Sequence, residues 1–395
     1  MTEKRGYDAV FVGGGIVGLC CAWRAARRGA EVVVLDAAAP PAGATRVAAG
    51  MLAPVGELSF GEPRLLELTL EAARLYPGFV AELQEATGFD AGYLRHGALH
   101  VALDRDEAAE LRRVHELQRS LGLEAEWLPP RRCRELEPGL TPSFSGGVHA
   151  PGEASVDPRA LCAALLAGLE AEGVEVRSGA EVVAGIFAGG DGAEASEAAK
   201  AGALRGVRTT DGAEWRAGAT VLAAGAWSGG AEWLPAAARP PVRPVKGQVL
   251  ELRSREGAAP CRGIVASERV YLVPRPDGRL IVGATSEEQG FDDTVLAGGV
   301  HELLREAYRL LPEVAEMELV EAAAGLRPGT PDNLPRVGPG AIDGLVLATG
   351  HYRNGILLAP LAAETVTDLL AARGALMPFV AHRATKGMSA AEVGR

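Results

Sequence analysis

The sequence has few of the residues that hold metals or disulfides. Its 395 residues include only five cysteines and seven histidines. The cysteines are odd in number and none has CxxC spacing, which favours reduced thiols in a cytosol over a secreted disulfide framework. No HExxH motif is present, and we predict no metal site.

Excess positive charge and long apolar runs are also missing. The formal net charge is −11 and the isoelectric point is about 5.3. This balance argues against nucleic acid or an anionic membrane as partner, although small anionic substrates respond to local charge instead. No stretch reaches the ~18 uncharged apolar residues that span a bilayer. We therefore expect a cytoplasmic globular protein, and a core strand and helix explain the apolar run after Lys4 and Arg5 better than a signal peptide.

The first forty residues predict a βαβ unit. The strand-type run YDAVFV precedes GGGIVG, which is followed by a helical stretch and by the strand EVVVLD ending at Asp36. Gly13 allows a tight turn, Gly15 lets a pyrophosphate approach the backbone, and Gly18 lets the helix pack on the strand. Asp36 suits a ribose hydroxyl pair. The pattern predicts a dinucleotide site, the alternative being a glycine-rich turn without a ligand.

Strands typical of a parallel sheet recur in the middle and at the end of the chain, in TVLAAGAWS and LVLATG. Helical and hairpin-type segments lie between them, including a turn at Pro276–Gly278. We predict an α/β fold with a discontinuous Rossmann-like FAD-binding domain and an α+β substrate domain with a mainly antiparallel sheet. The FAD-binding domain is assigned to residues 1–75, 146–232 and 322–395, and the substrate domain to residues 76–145 and 233–321.

Two local features add to this organisation. Asp157 followed by Pro158 predicts the start of a helix that continues to Gly173. The low-complexity segment 188–203 predicts a solvated loop insertion.

The glycine motif at residues 13–18 alone fits NAD or FAD. The return of the chain to one sheet in separate segments favours FAD, which extends from the pyrophosphate loop to a flavin at the domain interface.

The segment ATRVAAGMLAP, residues 44–54, is poor in large side chains. It favours backbone lying against a flat ligand, with a close Gly/Ala helix contact as the alternative.

Arg327 and Arg353 stand beside glycine- and proline-rich turns. A buried arginine needs an anionic partner, and its guanidinium matches a carboxylate. For each of them, and for Tyr271, a structural role is the alternative interpretation.

Four of these segments together resemble a known family. GGGIVG, TRVAAGMLAP, AGLRPGTPDNLP and GHYRNGILLAP are similar to motifs of the D-amino-acid oxidase superfamily, and within it to glycine oxidases of the thiamine-pathway (ThiO) type. The resemblance extends from about Tyr7 to Leu370. It implies oxidation of glycine, sarcosine and small D-amino acids to the imine by hydride transfer to flavin N5. It also implies O₂ as the acceptor that yields H₂O₂, imine supply to thiamine thiazole synthesis, and a homotetramer.

The resemblance also implies residue roles. Substrate-binding positions are Arg327, Arg353, Tyr271, Met51 and Ser286, with no catalytic base strictly required. FAD-binding positions are Gly13, Gly15, Ile16, Val17, Gly18, Asp36, Ala37, Thr45, Arg46, Ala49, Gly50, Met51, Val182, Gly225, His351, Tyr352, Arg353, Asn354, Gly355, Ile356 and Leu357. The helix that begins near Gly355 is expected to aim its positive N-terminal end at the flavin.

Several positions depart from the family pattern. Ser286 stands where a methionine can line the pocket, Arg269 where a histidine can stand, and Arg46 replaces a small polar residue. We expect a wider pocket as a result. Sarcosine oxidases of this superfamily attach their flavin through a cysteine in the later part of the chain. No cysteine follows Cys261 here, so the resemblance implies a non-covalent flavin.

Two other functions remain open from the sequence. One is a D-amino-acid or N-methyl-amino-acid oxidase or dehydrogenase with a wider pocket. The other is a non-catalytic FAD-binding protein or the flavin subunit of a multi-subunit dehydrogenase.

Overall fold

The computed structural model describes residues 6–188 and 202–374. Most of the predicted insertion at 188–203 therefore lies outside the described residues. The helices are α1 (Ile16–Arg27), α2 (Gly43–Val47), α3 (Pro63–Thr87), α4 (Arg105–Ser120), α5 (Pro130–Leu136), α6 (Pro158–Ala171), α7 (Ala297–Leu310) and α8 (Gly355–Ala372). The strands are β1 (Tyr7–Val12), β2 (Val32–Asp36), β3 (Met51–Leu52), β4 (Ala98–Ala102), β5 (Glu126–Leu128), β6 (Gly146–Ala150), β7 (Ala154–Ser155), β8 (Glu175–Ser178), β9 (Val182–Phe187), β10 (Leu204–Thr209), β11 (Glu214–Leu222), β12 (Arg243–Arg253), β13 (Ile264–Ala266), β14 (Tyr271–Pro274), β15 (Arg279–Gly283), β16 (Glu318–Gly329), β17 (Arg336–Pro339) and β18 (Leu345–Thr349).

The first sheet has the order β17-β18-β11-β1-β2-β8, with β10 and β9 extending from β11. Its central pairs, β18 with β11, β11 with β1, β1 with β2 and β2 with β8, are all parallel. Strands β1, β2 and β18 and the end of β11 are nearly continuous apolar runs because helices cover a parallel sheet on its faces, whereas the edge strand β8 is polar and mostly exposed. The predicted return of the chain to one sheet from start, middle and end is confirmed.

The core of the first sheet lies under α1, α3, α6 and α8. Trp23 of α1, Tyr76 and Phe79 of α3, and Leu165 of α6 are almost fully buried there. Asp157 caps α6 as predicted, since its carboxylate accepts the backbone N–H groups of residues 159 and 160.

The second sheet has the order β16-β12-β15-β14-β13-β4-β6-β5. Every pair in it is antiparallel except β13 with β4. The predicted turn at Pro276–Gly278 joins β14 to β15. The α/β class with a mainly antiparallel second sheet is thus confirmed, whereas the division into numbered domain segments stays a prediction.

The last helix is unusually apolar. The segment Tyr352–Ala372 is long and apolar enough to cross a membrane by length and composition alone. In the fold it is a core helix, because Ile356, Leu358, Val366 and Leu370 are buried against the first sheet and its helices.

One histidine pair has the four-residue spacing of a helical metal site. His96 and His100, however, lie along β4 and its approach, where four residues span about 13 Å. Among the described residues no group of three or more metal-binding side chains occurs.

Candidate functional site

A cavity of about 1670 Å³ is lined by residues of both sheets. Its walls include the glycine turn after β1, the end of β2, the segment around α2, and strands β12, β15 and β16 of the second sheet. The volume exceeds the roughly 300–1,000 Å³ that is common for a drug-sized ligand. It is therefore large enough for an extended cofactor together with a small substrate.

The first end of the cavity is a backbone cradle. Gly13 has φ +115° and lies so close to Ala223 that a Cβ there would collide with the neighbouring strand. A Cβ at Gly18 would collide with the carbonyl of Gly13. Both glycines therefore allow α1 and β11 to close on the turn, and the first N–H groups of α1 are brought to the cavity wall.

Thr45 completes this cradle from another segment. Its hydroxyl oxygen accepts the backbone N–H of Ile16 at 3.1 Å, at the first residue of α1. Thr45 lies in α2 and also lines the cavity. Its own O–H is consequently available to a phosphate oxygen beside the positive end of α1.

Asp36 lies at the end of β2, where the sequence predicts it. One carboxylate oxygen accepts the N–H of Gly14, and the other accepts the N–H of Ala38 at 2.7 Å. These bonds hold the carboxylate at the cavity wall, from which remaining lone pairs can accept ribose hydroxyls.

The start of α8 forms a further wall. His351 is 2% exposed, and its Nε2 has no hydrogen-bond partner among the described residues. Burial lowers the pKa of the His351 imidazole to about 4, so the ring is neutral at physiological pH. A short 3₁₀ turn, Tyr352–Asn354, then leads into Gly355, and these residues line the cavity.

The opposite end of the cavity is built from charged and phenolic side chains. Arg327 lies in β16 opposite Val245, and its guanidinium donates to the carbonyls of Thr285 at 3.1 Å and Lys246 at 3.4 Å. Within residues 6–188 and 202–374, neither Arg327 nor Arg353 has a carboxylate within 4.0 Å. The guanidinium of Arg353 instead lies 5.2 Å from the ring centre of Tyr352.

Two glycines make room for these large side chains. A Cβ at Gly247 of β12 would overlap the guanidinium of Arg327, and a Cβ at Gly283 of β15 would overlap the hydroxyl of Tyr271. Gly283 stands directly opposite Tyr271 in the β14–β15 pair. Tyr271 therefore lies over the glycine directly opposite it, and the guanidinium of Arg327 lies over a β12 glycine two residues from its own cross-strand partner Val245.

A carboxylate also faces this end of the cavity. Glu57 lines the cavity and is exposed toward it. Although its side chain is open to the cavity, the surrounding walls desolvate the Glu57 carboxyl and raise its pKa above the usual range, while the charges of Arg353 and Arg327 act in the opposite direction. Sequence reasoning missed Glu57, Gly247 and Gly283, although the Lys-Gly-Gln run in β12 and the Gly-Glu pair after TRVAAGMLAP are visible in the sequence.

Most residues predicted to bind ligand meet in this one cavity. Three do not line it. Gly18 is in the helix–strand contact, Leu357 is 2% exposed in the core, and the side chain of Arg46 pairs with Glu321 at 2.7 Å on the surface. The following predicted residues do line it: Gly13, Gly15, Ile16, Val17, Asp36, Ala37, Thr45, Ala49, Gly50, Met51, Val182, Gly225, Tyr271, Ser286, Arg327, His351, Tyr352, Arg353, Asn354, Gly355 and Ile356.

These residues fit FAD. The cradle at α1 offers backbone donors to a pyrophosphate, Asp36 offers acceptors to a ribose, and the unpartnered Nε2 of buried His351 points to a polar ligand at the far wall. The segment 44–54, predicted to lie against a flat ligand, begins within the short helix α2 and lines the cavity along residues 44–51 except Arg46.

Comparisons with known proteins agree with this site. Residues 8–369 match the family model described as "FAD dependent oxidoreductase" (DAO). A bifunctional ThiO/ThiG protein of Trichormus variabilis is 37% identical over 366 residues, which are 92% of this chain and 52% of that protein. The chain therefore spans about half the length of the bifunctional relatives that it matches.

A second relative matches along nearly its whole length. The glycine oxidase of Geobacillus kaustophilus is 34% identical over 375 residues, which are 94% of each chain. The crystal structure of glycine oxidase from Geobacillus kaustophilus superposes with a TM-score of 0.82 at 34% identity. That superposition covers 93% of this chain and 95% of the other.

Proposed function

Because the chain belongs to the DAO family of FAD-dependent oxidoreductases, we propose that it is a glycine oxidase that also accepts sarcosine and small D-amino acids. The observation that carries the proposal is the pair Arg327 and Arg353 in the cavity, with no carboxylate partner within 4.0 Å in the described part of the chain. Arg327 is half-buried and Arg353 is exposed to the cavity, and two such unpaired guanidinium groups in one cavity favour an anionic ligand. The carboxylate of a small amino acid is of the right charge and size, and the family and the glycine oxidase relatives support this choice.

Substrate orientation is the task of three side chains. Arg327 is held by the carbonyls of Thr285 and Lys246, so its remaining N–H groups are available to a carboxylate in a bidentate arrangement. Tyr271 lies beside it and donates its phenolic O–H to the same carboxylate. Arg353 approaches from the start of α8. Together they fix the Cα of the substrate relative to the cofactor, and such positioning lowers the barrier substantially.

The oxidation step depends on the cofactor and on the electrostatic field of the protein around it. Bound non-covalent FAD would supply the acceptor for the hydride that leaves the substrate Cα. The chain contributes the N-terminal end of α8, whose partial positive charge favours negative charge at that wall. Neutral His351 adds no charge there. No side chain of this chain needs to act as a base if the substrate enters with a neutral amine.

The proposal extends to the finer expectations from the sequence. They are reoxidation by O₂ with release of H₂O₂, supply of imine to thiamine thiazole synthesis, a cytoplasmic homotetramer, and the division into the five domain segments given above. The ThiO/ThiG and glycine oxidase relatives support the pathway.

The test is anaerobic mixing of the purified yellow protein with glycine, sarcosine, D-alanine and D-proline. Reduction is followed at about 450 nm, the usual flavin absorbance region. Rapid bleaching by glycine, and recovery with formation of H₂O₂ when air is admitted, are expected. Bleaching without recovery in air would indicate a dehydrogenase. Bleaching by the bulkier amines alone would mean that Ser286 has widened the pocket, and no bleaching by any amine would refute amine oxidation.

A further inference from the structure

Glu57 has no role in binding glycine as described above, yet it occupies the same cavity as both arginines. Its carboxylate is exposed to the cavity, and Arg353 and Arg327 are the charged groups that act on it. Arg327, Arg353 and Glu57 act on one another and together carry one positive charge. A substrate with a single carboxylate therefore brings the total of these three to zero. The cavity is also lined by the charged residues Glu62, Glu268, Arg269 and Asp293.

Hydrogen bonds from the surrounding structure hold the backbone at Glu57 in place. The segment 53–58 is a tight turn in which the N–H of Glu57 donates to the carbonyl of Ala53 at 3.0 Å. Glu153, which is 1% exposed, accepts the N–H groups of Val55, at 2.9 Å, and of Gly56. Gln118 donates to the carbonyl of Val55 at 2.9 Å. Two buried side chains from other elements thus hold the backbone that presents Glu57.

The residue before Glu57 is packed equally closely. A Cβ at Gly56 would overlap the imidazole of His100 and lie against the carboxylate of Glu153. The turn is therefore packed on one side against His100 of β4 and Glu153, while Glu57 lines the cavity. A flexible surface carboxylate would not be anchored in this way.

We propose that Glu57 is a specificity-determining residue that restricts the cavity to amino acids with one carboxylate, by balancing one of its two arginines. A second carboxylate on the substrate, as in an N-carboxymethyl glycine, meets the Glu57 carboxylate and is repelled. Like charges in a partly desolvated site interact more strongly than in water. The proposal rests on the proposed function for the identity of the ligand as an amino acid.

The test uses simple anions, so that it does not depend on turnover. Acetate and malonate differ by one carboxylate, and each is titrated into the FAD-loaded enzyme at pH 8 while the flavin absorbance spectrum is followed. In Glu57→Gln the ratio of the malonate Kd to the acetate Kd is expected to fall by about ten-fold or more, because the dianion gains more than the monoanion from loss of a negative charge. Glu57→Asp keeps the charge and is expected to keep the wild-type ratio.

A matched control distinguishes the effect of the Glu57 charge from the effect of removing any negative charge from the cavity wall. Glu110 also lines the cavity but pairs with Arg113 at 2.8 Å on α4. Glu110→Gln is expected to leave the Kd ratio unchanged. An unchanged ratio in Glu57→Gln, or an equal fall in Glu110→Gln, would overturn the assignment. Since neither anion is oxidised, failure of glycine to bleach the flavin would count against the proposed function alone.

Turnover gives a second readout. The kcat/KM for iminodiacetate relative to sarcosine is expected to rise in Glu57→Gln by a similar factor, because these two N-substituted glycines differ by a carboxylate. A rise in this ratio with an unchanged malonate-to-acetate ratio would contradict the charge argument, since the effect would then be one of size.

Discussion

The two ends of the cavity are built in different ways. The cofactor end consists of backbone and small side chains from two short segments, the turn after β1 and the region of α2, and its polar groups bond to one another, as in the Asp36–Gly14 and Thr45–Ile16 pairs. The substrate end is made of long charged side chains from β16, the start of α8 and the 53–58 turn, and its arginines lack carboxylate partners within 4.0 Å among the described residues. The first end is therefore held in shape by its own hydrogen bonds before a ligand arrives, whereas the charges of the second end are balanced only by the ligand.

This difference predicts that mutations at the two ends separate cofactor retention from substrate binding. Mutations at the substrate end should raise KM and spare FAD. Mutations at the cradle should weaken FAD and spare the KM of enzyme saturated with FAD.

The largest effect is expected for Arg327→Ala. Removal of the guanidinium leaves the substrate carboxylate without its charged partner, which costs about 2–5 kcal/mol in interfaces of this kind. The KM for glycine should rise severely, while the FAD content, measured from the absorbance of the purified protein, stays near one per chain. Arg46→Ala is the control, since that arginine pairs with Glu321 outside the cavity. A normal KM in Arg327→Ala would remove this residue from the site.

The next effect is expected for Gly247→Ala. The added methyl group occupies the space of the Arg327 guanidinium, so the arginine must leave its place over β12. Such overpacking costs about 1–3 kcal/mol, and we expect the KM for glycine to rise about 10- to 100-fold with FAD retained. In Gly298→Ala nothing lies within 4 Å of the new Cβ, and steady-state kinetics should be normal. Equal kinetics in both variants would mean that Gly247 does not support Arg327.

Gly247 also illustrates which part of the site the sequence can predict. The cradle is a local motif, so Gly13, Gly15 and Asp36 are recognisable from their spacing. The space over Gly247 depends on the register of β12 with β16, which joins residues about eighty positions apart, and no local pattern encodes that register. The antiparallel class of the second sheet was predictable from its hairpin, but its side-chain geometry was not.

Glu57 was missed for a related reason. A glutamate in an exposed-looking turn is usually solvated, and only the tertiary contacts of Glu153 and Gln118 place it at the cavity. Arg46 shows the opposite case, since its neighbours in TRVAAGMLAP line the cavity while its own side chain turns to Glu321. The motif located the segment but not the direction of each side chain.

Glu153, whose carboxyl holds the 53–58 turn, should make the free energy of unfolding depend on pH. Burial raises the pKa of the Glu153 carboxyl from 4.5 to about 8. The folded state therefore binds a proton that the unfolded state has released, and the free energy of unfolding falls as pH rises through this window. Between pH 6.5 and 8 the loss from this group should be about 1.5 kcal/mol. His100 opposes this trend only in part. Burial lowers its pKa from 6.5 to about 4, so at pH 6.5 the unfolded state holds about half a proton that the folded state lacks, and its loss by pH 8 raises stability by about 0.4 kcal/mol in wild type and variant alike.

Glu153→Gln should remove this part of the pH dependence, since an amide does not titrate. The measurement is the urea midpoint of wild type and variant at pH 6.5 and pH 8, at constant denaturant slope. An equal change in both proteins would show that Glu153 does not hold the proton. The FAD content should be the same in both, because the turn belongs to the substrate end.

The smallest effect is expected at the cradle itself, in Thr45→Val. Valine has nearly the same shape but leaves the N–H of Ile16 without its acceptor at 3.1 Å and removes one donor to the cofactor. The loss of a hydrogen bond of this kind costs about 1 kcal/mol, so the Kd for FAD should rise about five-fold when measured by flavin fluorescence. Thr45→Ser keeps the hydroxyl and should keep the affinity. With FAD in excess, both variants should have the wild-type KM for glycine. A raised KM with unchanged FAD affinity would show that the two ends of the cavity are not separate, because α2 would then transmit a change in the cradle to β16.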